Sequence, residues 1–276
     1  MGAMADMALA LPGDAGGSFV PPPFSLDYRM GGASARLGDV LQVEMAANGE
    51  GAAGVAVKER ASTPYLSATF RNALDSSLKE TFESYLPADT GDIEMRMLPL
   101  PSYRNCFVCG IARREPGLER RFHALDGEER QKIVVSPIGF ASDSGETFYR
   151  FQRHGYLHPL PMLALIDEIM GWAGFLLTAS GSVTVKASYT FYRDVHVGER
   201  LLVFGRGEKT RGSAESRLLY WASGGAASIR DDGTMEPVVA ASGQYLGVSA
   251  LTEQMRQELL PADLTRRAFQ LAGVSL

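Results

Sequence analysis

Cysteine is scarce in this chain of 276 residues: there are two, Cys106 and Cys109. Two thiols three residues apart cannot form a disulfide framework, so a reducing, cytoplasmic setting is the expectation. Positive charge is not in excess either. Lys plus Arg is 27 against 32 for Asp plus Glu, a net charge of −5. That balance argues against a nucleic-acid partner and against polybasic binding to a membrane surface. Walker, Rossmann and Gly-x-Ser-x-Gly patterns are missing. Met1 to Pro12 has no basic region and carries Asp6 within a short apolar stretch, so no signal peptide is expected. The longest apolar run, Leu157 to Ala179, approaches bilayer-spanning length, but Asp167 and Glu168 sit near its centre. Two carboxylates in hydrocarbon would cost roughly several kcal/mol, so the run reads as a buried helix and no membrane partner is expected.

What is present suffices for a sizeable core, at 45% hydrophobic residues, with 30 glycines suited to tight β turns or a loose tail. Residues 1–24 are Ala, Gly, Pro and Met without periodicity and read as a disordered N-terminal tail. Residues 25–100 follow as a β/α segment, either a partial copy of the main domain or a cap. Strands are expected at Leu41 to Met45, Ala53 to Lys58 and Tyr65 to Phe70, with a hairpin turn at Asn48-Gly49. Leu74, Leu78, Phe82 and Leu86 recur every four residues and predict an amphipathic helix over 72–86. A short strand is expected around Ile93 to Leu98.

The main domain, residues 101–250, opens with a hairpin, Leu118 to Ala124 and Arg130 to Pro137, turning at Asp126-Gly127. Thr147 to Gln152 reads as extended. The apolar helix spans Pro161 to Leu177, its early proline favourable because that N–H has no partner within the helix. Strands are expected at Val183 to Tyr192, Arg200 to Glu208, Ser213 to Ala222 and Val238 to Leu246. Residues 251–276 read as a helical extension. The fold class is α+β, an antiparallel sheet wrapped around one helix that is apolar nearly all round. A weak repeat runs through it. Tyr28-Arg29 followed by Gly38-Asp39-Val40-Leu41 parallels Tyr192-Arg193 followed by Gly198-Glu199-Arg200-Leu201.

The acids inside the apolar helix are the chemical anomaly. Asp167 or Glu168 is either a structural carboxylate capped by donors or a general base or nucleophile, its pKa raised by desolvation. On the same helix Asp167, Gly171 and Gly174 form a small-residue line where another backbone could approach. His158 lies nine residues before Asp167, so the two cannot meet on one face of one helix. Cooperation between them requires a dimer or pseudo-dimer interface.

His158 through Trp172 resembles the segment of hotdog-fold acyl-CoA thioesterases written His-Gly-Gly, six residues, Asp-Glu-x-x-Gly-Trp. His158, Asp167, Glu168, Gly171 and Trp172 match in register. Asn105-Cys106-Phe107-Val108-Cys109-Gly110, then Pro116-Gly117-Leu118, is similar to the opening of one branch of that superfamily. Phe191 to Glu199 resembles its Tyr-x-x-Pro-Val-x-x-Gly-Glu, matching at Val195 and Gly198-Glu199. The resemblance covers about residues 102–262. It implies a hotdog fold, possibly as a degenerate double hotdog, acting as a homodimer or internal pseudo-dimer. It implies hydrolysis of an acyl thioester carried on coenzyme A or a carrier protein, with no cofactor beyond the coenzyme A of the substrate. Asp167 would be base or nucleophile, Glu168 its substitute if the register slips by one, and His158 a positioning residue. The helix start would bind the carbonyl. Leu160, Gly171, Trp172, Tyr192 and Arg193 are the expected substrate-binding residues. The family's two glycines are Pro159 and Leu160 here, and proline has no N–H, so the Leu160 N–H is the remaining donor.

A second resemblance is to hotdog β-hydroxyacyl dehydratases, through His154, Pro159, Pro161, Asp167 and Gly174-Phe175. It makes His154 and Asp167 an acid/base pair. A third reading is a non-catalytic acyl-thioester-binding protein. A zinc site needs about four ligands, and beyond the Cys106/Cys109 pair only His123 offers itself, so no metal is expected and the pair reads as a structural turn. His196 and His123 read as surface or sheet residues. Arg113-Arg114, Arg120-Arg121 and Arg266-Arg267 are solvated faces or phosphate ligands.

Overall fold

The structure is a computed structural model that describes residues 22–31, 40–48, 51–58, 63–84, 86, 93–113, 117–125, 132–140, 145–213 and 217–274. Most of the expected tail and the Gly38-Asp39 and Asp126-Gly127 turns lie outside these. The tail ends earlier than its composition suggested, because Phe24 already begins a strand and is fully buried.

Six helices are described: α1 (Ser76–Glu83), α2 (Ile93–Arg96), α3 (Glu146–Tyr149), α4 (Pro159–Thr178), α5 (Ser249–Glu258) and α6 (Ala262–Leu271). Helix α4 organises the rest. His158 caps its start, accepting the Leu160 N–H at 3.2 Å, and Pro159 occupies the first turn. Ala179, with φ of 54°, ends it in a left-handed cap. By length and composition α4 could cross a membrane. Its surroundings are instead the sheet, which buries 67% of its apolar window and explains why it lacks a polar face.

The main sheet contains β1 (Phe24–Met30), β2 (Leu41–Asn48), β3 (Gly51–Lys58), β4 (Pro64–Arg71), β5 (Met97–Pro99), β7 (His123–Leu125), β8 (Ile133–Ile138), β11 (Ser182–Phe191), β12 (Leu201–Arg211), β13 (Leu219–Ile229) and β14 (Met235–Gly247). Four short strands pair apart from it: β9 (Gln152–Arg153) with β10 (Tyr156–Leu157), and β6 (Ser102–Tyr103) with β15 (Leu259–Leu260). The order is β2-β3-β4-β1-β11-β14-β13-β12-β8-β7-β5. Outward from the antiparallel β1–β11 seam, β1, β4, β3, β2 on one side mirror β11, β14, β13, β12 on the other. Of the sequence repeat, Tyr28-Arg29 lies within β1 whereas Tyr192-Arg193 follows the end of β11, and Gly38-Asp39 lies outside the described residues. Phe24 stacks on Phe191 across the seam at 4.7 Å between ring centroids.

The two faces of the sheet carry different helices. A Cβ added at Gly224 would meet Met170 of α4, and one at its neighbour Gly225 would meet the Phe82 ring of α1. Consecutive strand residues point to opposite faces, so α4 and α1 lie on opposite sides. Helix α1 closes a separate outer core with Phe82, Ile93, Val135, Leu202 and Phe204. Among the described residues the β1–β4 unit has no counterpart of α4.

Several sequence expectations shift for local reasons. The 72–86 helix shortens to α1 because the Asp75 carboxylate accepts the Ser77 N–H and caps it there, leaving Leu74 exposed. Thr147 to Gln152 is not extended. Gly145, at φ of 73°, starts the short helix α3 instead, whose Phe148 and Tyr149 turn inward. Ile93 to Arg96 is helical, and only Met97–Pro99 extends. The strand placed at Ser213 to Ala222 instead runs over Leu219–Ile229. Its Gly224-Gly225-Ala226-Ala227 core looks turn-like in composition but is small because helices press on it from both sides. The small-residue line of α4 meets no approaching backbone. Gly174 faces the Tyr220 ring, and Gly171 opens onto empty space.

That contrast is testable. An ideal Cβ at Gly174 would lie 1.9 Å from Tyr220 Cε2, whereas at Gly171 nothing lies within 4 Å. Gly171→Ala should hold or raise stability by up to about 1 kcal/mol through helix propensity. Gly174→Ala should lose about 1–3 kcal/mol to overpacking despite the same propensity gain. Urea unfolding of the two variants checks the opposite signs.

Candidate active site

Asp167 is the ninth residue of α4 and points at the seam between the two strand units. Its Oδ1 accepts the Tyr28 hydroxyl from β1 at 2.9 Å and the Tyr245 hydroxyl from β14 at 3.1 Å. The Thr184 hydroxyl of β11 reaches both carboxylate oxygens at 3.0 Å. Tyr245 is itself held by stacking on Tyr220, with ring centroids 4.9 Å apart, and Tyr220 bonds to Ser182 at 2.5 Å. Burial pushes the Asp167 carboxyl above its ordinary value, and the three hydroxyl bonds pull against that rise.

Asp167 opens onto a cavity of about 450 Å³. Glu168, Gly171, Trp172 and Phe175 of α4 form one wall. Tyr103, Asn105 and Cys106 form a second, and Leu251, Gln254, Met255 and Glu258 of α5 a third. Glu168 is pushed well above the ordinary carboxyl value, chiefly by burial and then by the charges of Cys106 and Asp167. Beside it the Cys106 thiol is drawn down, first by a hydrogen bond from Cys109, while the Cys109 thiol is driven up.

Of the residues proposed from sequence, Asp167, Glu168, Gly171 and Trp172 line this cavity together. The others do not. His158 and Leu160 stand at the start of α4, about 12 Å along the helix axis from Asp167. The Leu160 N–H is already given to His158 Nδ1, so it is not a free carbonyl donor. His154 is exposed in the β9–β10 turn, where it takes φ of 53° followed by Gly155 at 84°. That backbone makes it a turn residue rather than a partner for Asp167. Tyr192 and Arg193 fall on the other side of the sheet. Phe191 is the inward residue, Tyr192 packs on the outer core, and Arg193 is engaged by Glu199 and Glu236. Arg120 is buried, donating to Leu118 O and Thr147 Oγ1. Arg266 and Arg267 are exposed on α6. His123 lies on β7, and the group that joins the cysteine pair is Glu168.

The residues that sequence reasoning missed are Tyr28, Thr184 and Tyr245. Each is an ordinary strand residue in sequence, and only the pairing of β1, β11 and β14 brings its hydroxyl to one carboxylate.

Arg193 and Glu199 have a structural role with a pH signature. Burial alone would raise the Glu199 carboxyl, but bonds from Arg193, the His196 N–H and the Ser228 hydroxyl outweigh it and hold it below its ordinary value. The stabilisation is therefore present above the unfolded-state pKa of about 4.3 and fades as pH falls through the lower folded value. Glu199→Gln should cost about 1–2 kcal/mol at neutral pH. Denaturant titrations across pH should show that difference shrinking below about pH 4.

No family model matches the sequence, and no curated protein matches it. Solved structures do. A candidate thioesterase from Novosphingobium aromaticivorans superposes with a TM-score of 0.50 at 12% identity, covering 90% of this chain and 87% of that one. The chain has the hotdog fold. An acyl-CoA thioesterase II from Mycobacterium marinum aligns over 90% of this chain and 88% of its own, with a TM-score of 0.48 and 15% identity. The dehydratase domain of the polyketide protein PpsC from Mycobacterium tuberculosis gives 0.48 at 14% identity, over 90% and 84%. In this hotdog protein the helix inside the sheet is α4, and Asp167 faces the seam where the two strand units join.

Proposed function

We propose that this hotdog protein hydrolyses an acyl thioester, with Asp167 as the general base. The observation that carries the reading is a part-buried carboxylate on the central helix, gripped by three hydroxyls and open to a cavity with a partly apolar wall. A structural acid would gain nothing from facing that space. The hydroxyls fix the carboxylate without neutralising it, and desolvation makes it a stronger base than a surface aspartate.

In the step we assign, Asp167 takes a proton from a water molecule as the water oxygen adds to the thioester carbonyl. The tetrahedral intermediate collapses with cleavage of the carbon–sulfur bond. The proton on Asp167 passes to the departing thiolate, so acid and thiol are released and the carboxylate is restored. With the Leu160 N–H committed to His158, the carbonyl oxygen needs another donor. The Asn105 side-chain amide lines the same cavity and makes no hydrogen bond among the described residues, which makes it the group to polarise the carbonyl. Arg113 donates to the Asn105 carbonyl at 2.8 Å, placing a cation beside this wall for the phosphates of coenzyme A. Trp172 and Phe175 supply apolar surface for the acyl group.

The dehydratase reading lacks its second group, since His154 lies on an exposed turn. Purified protein should release free thiol from acyl-CoAs. Asp167→Asn should lower kcat by at least about 100-fold, the contribution typical of general-base catalysis, with a native circular dichroism spectrum. Asn105→Ala should lower kcat by a comparable factor. Binding of acyl-CoA without thiol release would instead establish a non-catalytic carrier, and enoyl formation without thiol release a lyase.

A further inference from the structure

The Cys106/Cys109 pair is not used by the proposed hydrolysis, yet it is built with care. The loop folds back so that the Gly110 N–H reaches Cys106 O at 2.9 Å, and a Cβ at Gly110 would collide with the Cys106 backbone. Both sulfurs lie on one side of this tight turn. The Cys106 sulfur accepts the Val108 N–H at 3.3 Å and a second bond from the Cys109 N–H, and the Tyr103 backbone does the same for Cys109.

The third member is Glu168, 59 residues away in sequence. Its Oε1 lies 4.0 Å from Cys109 Sγ, and one ligand atom from each of the three residues falls within 4.8 Å of the others. Among the described residues no Lys, Arg or His pairs with Glu168, which sits part-buried at the cavity wall. Tetrahedral zinc, with bonds of roughly 2.0–2.3 Å, requires ligand atoms about 3.3–3.8 Å apart, so the cluster needs a contraction of at most about 1.0–1.5 Å. Two of the three residues, Cys106 and Glu168, also line the cavity, which leaves a fourth position for water.

We infer that Cys106, Cys109 and Glu168 form a three-ligand site for a thiophilic divalent cation of the zinc type, with its open position facing the cavity. Two sulfurs and a carboxylate suit zinc or cobalt over magnesium or calcium, which prefer oxygen ligands. A divalent ion there would offset three acidic groups held together at the cavity wall. The inference stands apart from thioester hydrolysis, because its readout is metal uptake.

The full chain, reduced and freed of metal with a chelator, should retain one zinc ion per chain after dialysis. Cobalt(II) should produce thiolate-to-metal charge-transfer absorbance in the near ultraviolet, with visible bands of tetrahedral intensity. Cys106→Ser and Cys109→Ser should each abolish the charge-transfer signal. Glu168→Gln should keep sulfur ligation but weaken zinc binding by about tenfold or more. His123→Ala should leave uptake unchanged. Cys109 is buried and its variant can misfold, so Cys106→Ser and Glu168→Gln carry the test if circular dichroism shows Cys109→Ser to be unfolded. Failure to retain zinc in stoichiometric amount, uptake that survives loss of Cys106, or recovery of the two thiols as a disulfide under the same reducing conditions would overturn the inference.

Discussion

One carboxylate ties this molecule together. Asp167 leaves the middle of α4 and takes hydroxyls from β1, β11 and β14, the strands on either side of the seam. Hydrogen bonds to a charged group in a desolvated setting are stronger than neutral ones, and their loss leaves a buried charge unmatched. The contact therefore fixes three things at once. It sets the rotation of the central helix, the depth at which the 24–30 strand sits against the main unit, and the wall of the cavity. Much of the packing around it follows the same constraint. Gly174 gives room to Tyr220, Tyr220 stacks on Tyr245, and Tyr245 reaches Asp167.

The second consequence is an asymmetric double unit. The strand order mirrors across the β1–β11 seam, while the helices do not. Helix α4 fills the inner face beneath the later strands, and α1 covers their outer face through Phe82. With helices on both faces, β13 can afford almost no side-chain volume at its centre. This accounts for the Gly-Gly-Ala-Ala run better than flexibility does.

The legible part of this structure was the part written locally. An apolar helix interrupted by two acids and a strand series after it could both be read along the chain. Asp167 and Glu168 stood out because a carboxylate in an apolar helix contradicts its surroundings. Their partners were illegible for the opposite reason. Tyr28 lies 139 residues from Asp167 and Tyr245 lies 78 away, and each looks like any tyrosine in a strand. The histidines misled because their spacing to Asp167 has chemical meaning only if the two groups converge. His158 instead caps its own helix, and His154 serves a turn that wants positive φ. Glu168 showed the same limit. Its nearness to the Cys106/Cys109 loop is a property of packing, not of spacing.

The claim that the Asp167 contact joins the early strand to the central helix is tested most directly by a double-mutant cycle. Unfolding free energies would be measured for the starting protein, Tyr28→Phe, Asp167→Ala and the pair. A coupling of about 1.5–3 kcal/mol, the range of a hydrogen bond to a buried charge, is the expected result. Additive effects of the two substitutions would contradict the account.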